Sequence, residues 1–375
     1  MTPKTPASMA RGPVVATALD VPVGSPGGSV ELFLDLYTGR DPLIASRAFM
    51  LAPATRRYRR PAGLELLRVD GKCLDGPGFP RYVTALTHAL VTALDADHVG
   101  VVHLQHLAFG ATPALLNALP GQPAIALVHG TDLIFAQAHR RQHQVLLDAV
   151  HRARAIVVPT AAMADRLLHL APATDREKIT HIPWGIPDHL INRPPRRLQR
   201  PPGGPLRLLY AGRLTPEKGV PALLQALAAV EAVELSIAAP RHQFSALAPG
   251  LRQSHVTVRY LGWLRRAQLW RAFAGHDLLV MPSTTLEAMG LVALEAQACG
   301  LPVLYQPVPG LAETLSGSGV ATDFTRPAIL ARDLQRLRTT PGLLTHLRHA
   351  GQRNAARYRL SATATALAEL GHQIS

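Results

Sequence analysis

The stretch M-P-S-T-T-L-E-A-M-G-L-V-A-L-E-A-Q-A-C-G-L-P, from Met281 to Pro302, decides the fold of this chain. An apolar run of the buried-strand type leads into it, and Pro282 with the polar residues that follow breaks that run. A helix is predicted from about Gly290, and Gly300 stands where a helix ends. A strand that feeds a loop and a helix N-terminus is a ready anion site, because the first amides of the helix lack partners and its dipole favours negative charge.

Two carboxylates stand in this frame. Glu287 lies in the loop before the predicted helix, and Glu295 lies on its second turn. Acids beside an anion site are suited to neutral hydroxyl groups rather than to the anion itself, because a carboxylate repels a phosphate and accepts hydrogen bonds from hydroxyls. The stretch therefore predicts a ligand that carries both phosphates and sugar hydroxyls.

The chain has 375 residues, of which 47% are hydrophobic, and this is enough for two domains with cores of their own. No apolar run reaches the roughly 18 residues that a membrane span requires. The first residues, Met1 to Arg11, lack the apolar segment of a secretory signal. The two cysteines, Cys73 and Cys299, are interpreted as reduced thiols. We therefore expect a cytoplasmic protein.

The chain is strongly basic, with a formal net charge of +14 from 39 Lys and Arg against 25 Asp and Glu. The basic residues are scattered, with local runs at residues 56–60 and 193–200, and no zinc-knuckle, RNP or recognition-helix pattern accompanies them. We therefore expect no nucleic-acid partner. The charge leaves open an anionic small ligand, a weak peripheral contact with anionic lipid, or a plain solvated surface.

Strands and helices alternate on both sides of a break in composition. The break runs from Gly185 to Pro205 and contains six prolines, which predicts an irregular linker. The alternation predicts an α/β chain with two doubly wound, mainly parallel sheets, whose ligands bind at the carboxyl ends of the strands. We place an N-terminal domain at residues 1–187 and a C-terminal domain at residues 188–353. A last helix, at about residues 354–375, is able to pack back on the N-terminal domain.

A glycine pair follows the first predicted strand of the N-terminal half. Gly27 and Gly28 stand between that strand and a helix that begins near Ser29. A strand, a glycine-rich loop and a helix in this order can bring backbone amides close to a phosphate. A plain turn is the alternative interpretation.

An arginine and a lysine follow the first predicted strand of the C-terminal half. Thr215 is a plausible N-cap with Pro216 at the first helical position, which places Lys218 in the first helical turn. A cation there has the wrong sign for the helix dipole. Lys218 and the preceding Arg213 suit an anion gripped between them, and a solvated helix start is the alternative.

Together these features resemble the GT-B glycosyltransferases, and within them the retaining family 4 enzymes. The matching pieces are the turn at residues 212–219, the acids Glu287 and Glu295, and the phrase A-Q-A-C-G-L-P-V at residues 296–303. The resemblance covers nearly the whole chain. It implies two Rossmann-like domains that face each other across a cleft, and a hexosyltransferase that uses a UDP-sugar as donor with no metal or other cofactor.

The resemblance also implies roles for single residues. Glu295 would hold the ribose hydroxyls, and Glu287 would hold a hydroxyl of the donor sugar. His129, which alone reads as an ordinary loop histidine, matches the family's histidine near the reacting carbon, so His129 and Glu287 are the predicted catalytic residues. Trp263 and Leu264 would meet the base. The residues that would bind the donor diphosphate are Gly27, Gly28, Arg213, Lys218, Gly290, Leu291 and Val292.

The chain departs from the family pattern in two places. Pro240-Arg241-His242 stands where many relatives carry a glycine-rich turn, and the loop at residues 307–311 lacks the frequent Gly-Gly pair. Both departures are expected to alter the pocket for the base or the donor sugar.

Phrases at residues 27–37, 103–110, 129–133 and 305–311 look like the aminoglycoside biosynthesis enzymes that glycosylate 2-deoxystreptamine. Such an acceptor is a diamine and therefore cationic, so its pocket should supply carboxylates. A surface with a net charge of +14 would repel this cation, but screening by salt limits the repulsion to about 8 Å. For Glu31 and Asp35, a polar helix face is the alternative interpretation. The alternative acceptor is another glycan, a lipid or a small molecule. The predicted acceptor-binding residues are Glu31, Asp35, Gln105 and Asp132.

The chemistry implied is transfer with retention, in which Arg213, Lys218 and a helix N-terminus stabilise the leaving diphosphate without a metal. The sequence Asp95-Ala96-Asp97 has the letters of a D-x-D metal motif, but it sits at a helix end with no phosphate loop. A hydrolase that used Glu287 and Glu295 as its acid pair would leave both cations without a role. A nucleotide-sugar epimerase and a non-catalytic nucleotide-sugar sensor are further alternatives.

Overall fold

The structure is a computed structural model that describes residues 14–53, 60–198, 204–228, 230–252 and 256–375. The first eleven residues, most of the basic run at residues 56–60 and the end of the run at residues 193–200 lie outside the described residues. Within the described part, no helix combines the length and the apolar character that crossing a membrane requires.

The strands come from short apolar segments, several of which are buried along their whole length. They are β1 (Val14–Pro22), β2 (Ser46–Leu51), β3 (Leu64–Leu67), β4 (Val99–Leu104), β5 (Ala124–Leu127), β6 (Ala155–Val158), β7 (Ile179–His181), β8 (Leu206–Ala211), β9 (Val233–Ala238), β10 (Thr257–Tyr260), β11 (Leu278–Met281), β12 (Val303–Tyr305) and β13 (Val320–Ala321).

The helices alternate with these strands and continue beyond the last of them. They are α1 (Gly28–Tyr37), α2 (Phe79–Ala93), α3 (Ala111–Ala118), α4 (Thr131–Ala138), α5 (Arg140–Arg152), α6 (Ala161–Leu170), α7 (Asp188–Asn192), α8 (Val220–Leu227), α9 (Arg241–Arg252), α10 (Arg266–Gly275), α11 (Leu291–Ala298), α12 (Leu311–Leu315), α13 (Pro327–Thr339), α14 (Leu343–Ala355) and α15 (Leu360–Ile374).

Two parallel sheets form the scaffold of the described residues. One has seven strands in the order β3-β2-β1-β4-β5-β6-β7, and the other has six in the order β10-β9-β8-β11-β12-β13. All the strand pairs are parallel, and the central strands are buried on both faces because helices cover the sheets. The strand order reverses beside β1 and again beside β8, so each sheet has a switch point where ligands bind in open α/β folds. The predicted fold class of two doubly wound α/β domains is confirmed.

The last helix, α15, returns to the N-terminal half. The hydroxyl of Thr363 on α15 donates to the carbonyl of Pro183 at 2.8 Å. Buried Leu360 and Leu367 of the same helix belong to one apolar cluster that also contains residues of both sheets. The two halves are therefore joined by a continuous apolar contact as well as by the connecting chain.

The connecting segment is more regular than its composition predicts. Its described part contains the helix α7, and Ile186 forms a parallel bridge with Arg359 just before α15. The amide of Ile186 donates to the carbonyl of Tyr358 at 2.9 Å. The prolines flank the short helix rather than lie inside it, which is why they do not prevent it.

Two further helices differ from the sequence-based prediction. Residues 131–152 form two helices, α4 and α5, rather than one, because the backbone of His139 between them is extended with φ of −131° and ψ of 109°. The segment Pro240-Arg241-His242 begins a helix, α9, that the sequence pattern did not predict. The amide of Phe244 donates to the carbonyl of Pro240 at 3.0 Å, which closes the first turn of α9.

Candidate functional site

A cleft of about 550 Å³ separates the two domains. The residues that follow β1, β5, β8 and β11 contribute to its walls, so the cleft lies at the carboxyl ends of the strands beside both switch points. Most of the predicted site residues line it. They are Gly27, Gly28, Glu31, His129, Arg213, Lys218, Trp263, Leu264, Glu287, Gly290, Leu291, Val292 and Glu295.

The ammonium group of Lys218 donates to Oε1 of Glu287. The hydroxyl of Ser283 donates to the same oxygen at 2.7 Å. Both partners of the ion pair are mostly shielded, since 22% of the Lys218 side chain and 12% of the Glu287 side chain are exposed. Two residues that the sequence assigned to different parts of a ligand therefore contact each other directly.

Lys218 does not lie in the first turn of an α-helix, so that prediction is wrong. It ends a short 3-10 turn, Pro216–Lys218, and α8 begins only after Gly219, whose φ is 66°. The hydroxyl of Thr215 donates to the carboxylate of Glu217 at 2.6 Å instead of capping the helix. The left-handed glycine separates the turn from α8, so the side chain of Lys218 points into the cleft without opposing the dipole of α8.

Glycines hold the loop that carries Glu287. A Cβ on Gly219 would lie 1.9 Å from the carbonyl oxygen of Pro282, and a Cβ on Gly310 would lie 1.7 Å from the carbonyl oxygen of Glu287. The amide of Glu287 donates to the carbonyl of Pro309 at 3.3 Å. The loop at residues 307–311 lacks a Gly-Gly pair, but its one glycine still allows the close contact that places Glu287.

The turn that carries Arg213 is held from two sides. The phenol of Tyr210 donates to the carbonyl of Arg213, and the amide of Leu214 donates to the side-chain oxygen of Gln243 at 2.7 Å. Gln243 lies on α9, the helix that begins at the segment Pro240-Arg241-His242. This segment thus has a structural role beside the predicted diphosphate site.

The helix α11 starts at the cleft. Gly290 is its N-cap, with φ of 72° and ψ of 53°, and Leu291 and Val292 form its first turn. The first amides of a helix have no carbonyl partner within it, and the positive end of its dipole lies there. The end of α11 therefore offers hydrogen-bond donors and partial positive charge to the cleft beside Arg213 and Lys218.

Glu295 is almost completely buried, with 6% of its surface exposed, and it lies at the edge of the cleft. Its Oε1 accepts from Nε of Arg266 at 3.0 Å and from a second nitrogen of the same guanidinium. Its Oε2 accepts from the indole nitrogen of Trp270 at 2.9 Å. The guanidinium also lies over the ring of Trp270, 5.4 Å from its centroid.

Arg266 connects the two domains, and the sequence did not single it out. Besides Glu295, its guanidinium donates to the carboxylate of Asp35 on α1 of the N-terminal domain. Burial raises the pKa of Asp35 and of Glu31 on the same helix, and the nearby cation offsets this only in part. In the sequence, Arg266 is one of two adjacent arginines at a helix start, a pattern typical of a solvated surface.

His129 lies at the N-terminal side of the cleft in a cluster of rings. It stacks on Trp184 with 5.3 Å between ring centroids, and His106 lies 4.9 Å from it. Among the described residues its Nε2 has no hydrogen-bond partner. Burial lowers the pKa of His129, so the ring is neutral at ordinary pH and keeps one nitrogen available to a ligand.

Three of the four predicted acceptor-binding residues do not line the cleft. Asp132 is fully buried, and its carboxylate accepts from the amides of Leu107 at 3.0 Å and His129 at 3.2 Å. Gln105 is buried and donates to the hydroxyl of Thr17 at 2.8 Å. Asp35 is turned to Arg266 instead. These groups are used in internal hydrogen bonds, and only Glu31 of the four faces the cleft.

The Asp95-Ala96-Asp97 segment lies away from the cleft. It directly precedes β4, so it lies at the amino end of that strand, whereas the cleft lies at the carboxyl ends. Asp95 accepts from the amide of Asp97 at 3.2 Å and pairs with the ring of His98 at 2.7 Å. The carboxylate of Asp95 therefore caps a short 3-10 turn, and Asp97 lies within that turn.

Two family models match successive parts of the chain. The model described as Glycosyltransferase Family 4 matches residues 47–190, and the model described as Glycosyl transferases group 1 matches residues 205–340. The first therefore falls on the domain that carries His129, and the second on the domain that carries Arg213, Lys218, Glu287 and Glu295.

Curated relatives are similar over part of the chain. D-inositol 3-phosphate glycosyltransferase of Salinispora arenicola is 33% identical over 195 residues, which are 47% of this chain and 42% of the relative. Glycogen synthase of Mycobacterium tuberculosis is 29% identical over 263 residues, 66% of this chain and 62% of the relative. The matched segments thus span less than two thirds of either relative. Their names give no support to 2-deoxystreptamine as the acceptor.

Solved structures match nearly the whole chain in fold. Sucrose-phosphate synthase from Thermosynechococcus elongatus superposes with a TM-score of 0.75 at 18% identity, covering 97% of this chain and 99% of that one. Anabaena HepE in complex with UDP and glucose superposes with a TM-score of 0.74 at 16% identity, covering 95% and 98%. With its two parallel sheets facing across a cleft, this chain therefore has the GT-B fold of the group 1 and family 4 glycosyltransferases.

Proposed function

We propose that this protein transfers a hexosyl unit from a UDP-sugar to a hydroxyl group of a small polar acceptor. The observation that carries the proposal is one wall of the cleft, where two cations, a helix N-terminus and two shielded carboxylates stand together. Cations and amides suit the diphosphate, and carboxylates suit sugar hydroxyls. The similarity of fold to a protein solved in complex with UDP and glucose supports the same assignment.

The diphosphate binds between Arg213, Lys218 and the first turn of α11, with Gly27 and Gly28 on the facing wall. Charge in the transition state builds up on the leaving diphosphate, so donors fixed before the reaction lower the barrier without reorganising. Two side-chain cations and a helix end provide this stabilisation, and we propose that no metal is required. Trp263 lines the cleft and is 44% exposed, so its ring is available to contact the base of the nucleotide.

The two carboxylates, Glu295 and Glu287, bind different sugars of the donor. Glu295 binds the ribose hydroxyls of the nucleotide. Among the described residues, Lys218 and Ser283 both donate to Oε1 of Glu287. The other oxygen, Oε2, is placed to accept a hydrogen bond from a hydroxyl of the transferred sugar. Lys218 bonds to Glu287 and reaches the diphosphate, so one residue links the positions of the leaving group and the sugar.

The reaction retains the anomeric configuration. The bond between the anomeric carbon and the diphosphate oxygen breaks as the acceptor oxygen attacks from the same face, and the acceptor proton passes to the departing diphosphate. Glu287 and His129 hold the donor sugar during this step, since Glu287 is paired with a cation and His129 is neutral. Contact between the domains excludes water from the cleft and limits hydrolysis of the donor.

The acceptor is a polyol, and a cyclitol is the class that the names of the curated relatives favour. These relatives are described as acting on D-inositol 3-phosphate, which is a phosphorylated cyclitol. In this chain Lys72 and His106 line the N-terminal part of the cleft, and they are donors suited to hydroxyls or to a phosphate. 2-Deoxystreptamine is an aminocyclitol and serves as a test arm, although Glu31 is the one acid among the predicted acceptor-binding residues that lines the cleft.

Mass spectrometry of products tests this function. UDP-glucose and UDP-N-acetylglucosamine are each incubated with inositol 3-phosphate, inositol, 2-deoxystreptamine or a glucan. We expect a hexosylated product and UDP release only with a cyclitol. Release of free sugar without acceptor would indicate a hydrolase, an isomeric UDP-sugar would indicate an epimerase, and UDP binding without any product would indicate a sensor. Lys178→Ala, remote from the cleft, serves as the matched control for Lys218→Ala.

A further inference from the structure

Arg266 lies between a carboxylate of each domain. Its guanidinium bonds to Glu295 on α11 and to Asp35 on α1, which are far apart in sequence and belong to different domains. We propose that Arg266 is a positioning residue for the nucleotide ribose, and that Asp35 controls its hold on Glu295 from the opposite domain. The inference rests on the proposed function, because it takes Glu295 to be the ribose ligand.

The hydrogen-bonding capacity of Glu295 is nearly used up before a nucleotide binds. An ionised carboxylate has about four lone-pair positions. Arg266 occupies two positions on Oε1, and Trp270 occupies one on Oε2. A ribose presents two neighbouring hydroxyls, so Glu295 accepts both only if Arg266 gives up a bond. The position of the guanidinium therefore sets the affinity of this carboxylate for ribose.

Asp35 provides the alternative partner for the guanidinium. The three side chains are poorly exposed, at 17% for Arg266, 28% for Asp35 and 8% for Glu295, so their charges are weakly screened. The negative charge of Asp35 draws the guanidinium of Arg266 away from Glu295. It also stabilises that guanidinium when a ribose hydroxyl replaces one of its hydrogen bonds to Oε1. Without that charge, Arg266 pairs with Glu295 alone and competes more strongly with the nucleotide.

The contact also gives the N-terminal domain a role in nucleotide binding. Asp35 does not line the cleft, yet it lies on the same helix as Glu31, which faces the cleft as a candidate acceptor contact. A change in the position of α1 therefore changes the pairing of Arg266 and, through it, Glu295. Nucleotide affinity and the position of the acceptor-binding helix are coupled through one guanidinium, and such coupling acts in both directions.

Calorimetry with two probes tests this inference. UDP contains the ribose, whereas inorganic pyrophosphate contains only the diphosphate and contacts Arg213 and Lys218 without using Glu295. We expect Asp35→Asn to weaken UDP binding by roughly fivefold or more, the lower end of couplings between sites, and to leave pyrophosphate unchanged. Asp35→Glu keeps the charge and is expected to restore UDP affinity. Glu65→Gln, which removes another ion pair of the N-terminal domain, is the matched control.

A double variant makes the test specific to Arg266. In an Arg266→Gln background, Asp35→Asn is expected to have no further effect on UDP, because the connecting cation is absent. Unchanged UDP affinity in Asp35→Asn, equal loss for both probes, or an undiminished effect in the Arg266→Gln background would each overturn the inference. If the wild-type protein does not bind UDP, the proposed function fails, and the inference fails with it. If Glu295→Gln weakens UDP and Asp35→Asn does not, only the inference fails.

Discussion

Lys218 and Glu287, 69 residues apart in the chain, form an ion pair at the cleft between the two domains. The cation that suits a diphosphate and the acid that suits a sugar hydroxyl neutralise each other before any ligand binds. Removing one partner of a charged pair that is shielded from water leaves the other charge uncompensated, which is costly. The pair thus fixes two parts of the candidate donor site at once.

Replacing Lys218 by Ala removes a contact to the diphosphate and leaves the carboxylate of Glu287 without its cation. We expect kcat/KM for the UDP-sugar to fall by about 10- to 100-fold, since a hydrogen bond to a charged group is worth about 1.5–3 kcal/mol. Steady-state kinetics provide the measurement. Lys178, which donates to the carbonyl of His151 on the surface, is the matched control and its Ala variant should match the wild type. Equal kinetics for the two variants would rule out the role of Lys218.

Gly310 tests whether the loop that carries Glu287 must be held in place. Gly310→Ala and Gly317→Ala both put a side chain at a positive φ, 87° and 73°, at a cost of about 1–2 kcal/mol each. A Cβ meets the carbonyl of Glu287 only at Gly310, and at Gly317 it meets nothing within 4 Å. We therefore expect both variants to lose stability and only Gly310→Ala to lose most of its activity. Matching activity in the two variants would contradict the account.

Asp132 distinguishes an acceptor contact from a structural group. Its buried carboxylate accepts from two backbone amides, and burial raises its pKa to about 6. Asp132→Ala leaves those two amides without an acceptor. We therefore expect the free energy of unfolding to fall by about 1–3 kcal/mol for each unpaired amide. Urea unfolding measures this loss, and the KM for the acceptor at a temperature where the variant is folded should stay unchanged. A variant of full stability with a raised acceptor KM would support the acceptor contact and contradict the structural role.

Buried histidines are expected to make the protein sensitive to acid. His103 is 1% exposed, accepts or donates at 2.8 Å with the phenol of Tyr37, and burial lowers its pKa to about 3 from 6.5. Between these values the unfolded chain binds a proton that the folded chain does not. The free energy of unfolding therefore falls as the pH falls below 6.5, by up to about 1.4 kcal/mol per pH unit for this group.

The comparison with His103→Leu isolates that contribution. Other titrating groups, including Asp132, are common to both proteins and cancel in the difference. Urea unfolding at pH 6.0, 5.5 and 5.0 should give a slope about 1.4 kcal/mol per pH unit shallower in the variant than in the wild type. Parallel profiles would show that His103 does not titrate as its burial requires.

The sequence predicts well those features that depend on neighbouring residues. The apolar run of β11, the glycine before α11 and the turn at Arg213 each carry a local signal, and the fold class follows from their alternation. The cleft collects Arg213, Lys218, Glu287 and Glu295 because the carboxyl ends of parallel strands meet at one edge.

The features that the sequence misses depend on contacts between distant residues. The pairing of Arg266 with Asp35 spans 231 residues, and nothing near either residue indicates it. Asp132 stands next to the His129 loop in sequence, yet the packing of that loop buries it. Lys218 reads as a helical residue because Gly219 looks like an ordinary early helix position rather than a left-handed break. The prediction of 2-deoxystreptamine as the acceptor depended on short sequence phrases, and the names of the curated relatives do not support it.

The most direct test of the central claim is calorimetric titration of UDP into the wild-type protein and into Glu295→Gln. We expect one nucleotide to bind per chain in the wild type. In the variant we expect binding weaker by about tenfold or more, since a charged acceptor for the ribose is lost and a bond to a charged group is worth about 1.5–3 kcal/mol. An absence of binding to the wild type, or equal affinity in the two proteins, would contradict the assignment of this cleft to a UDP-sugar.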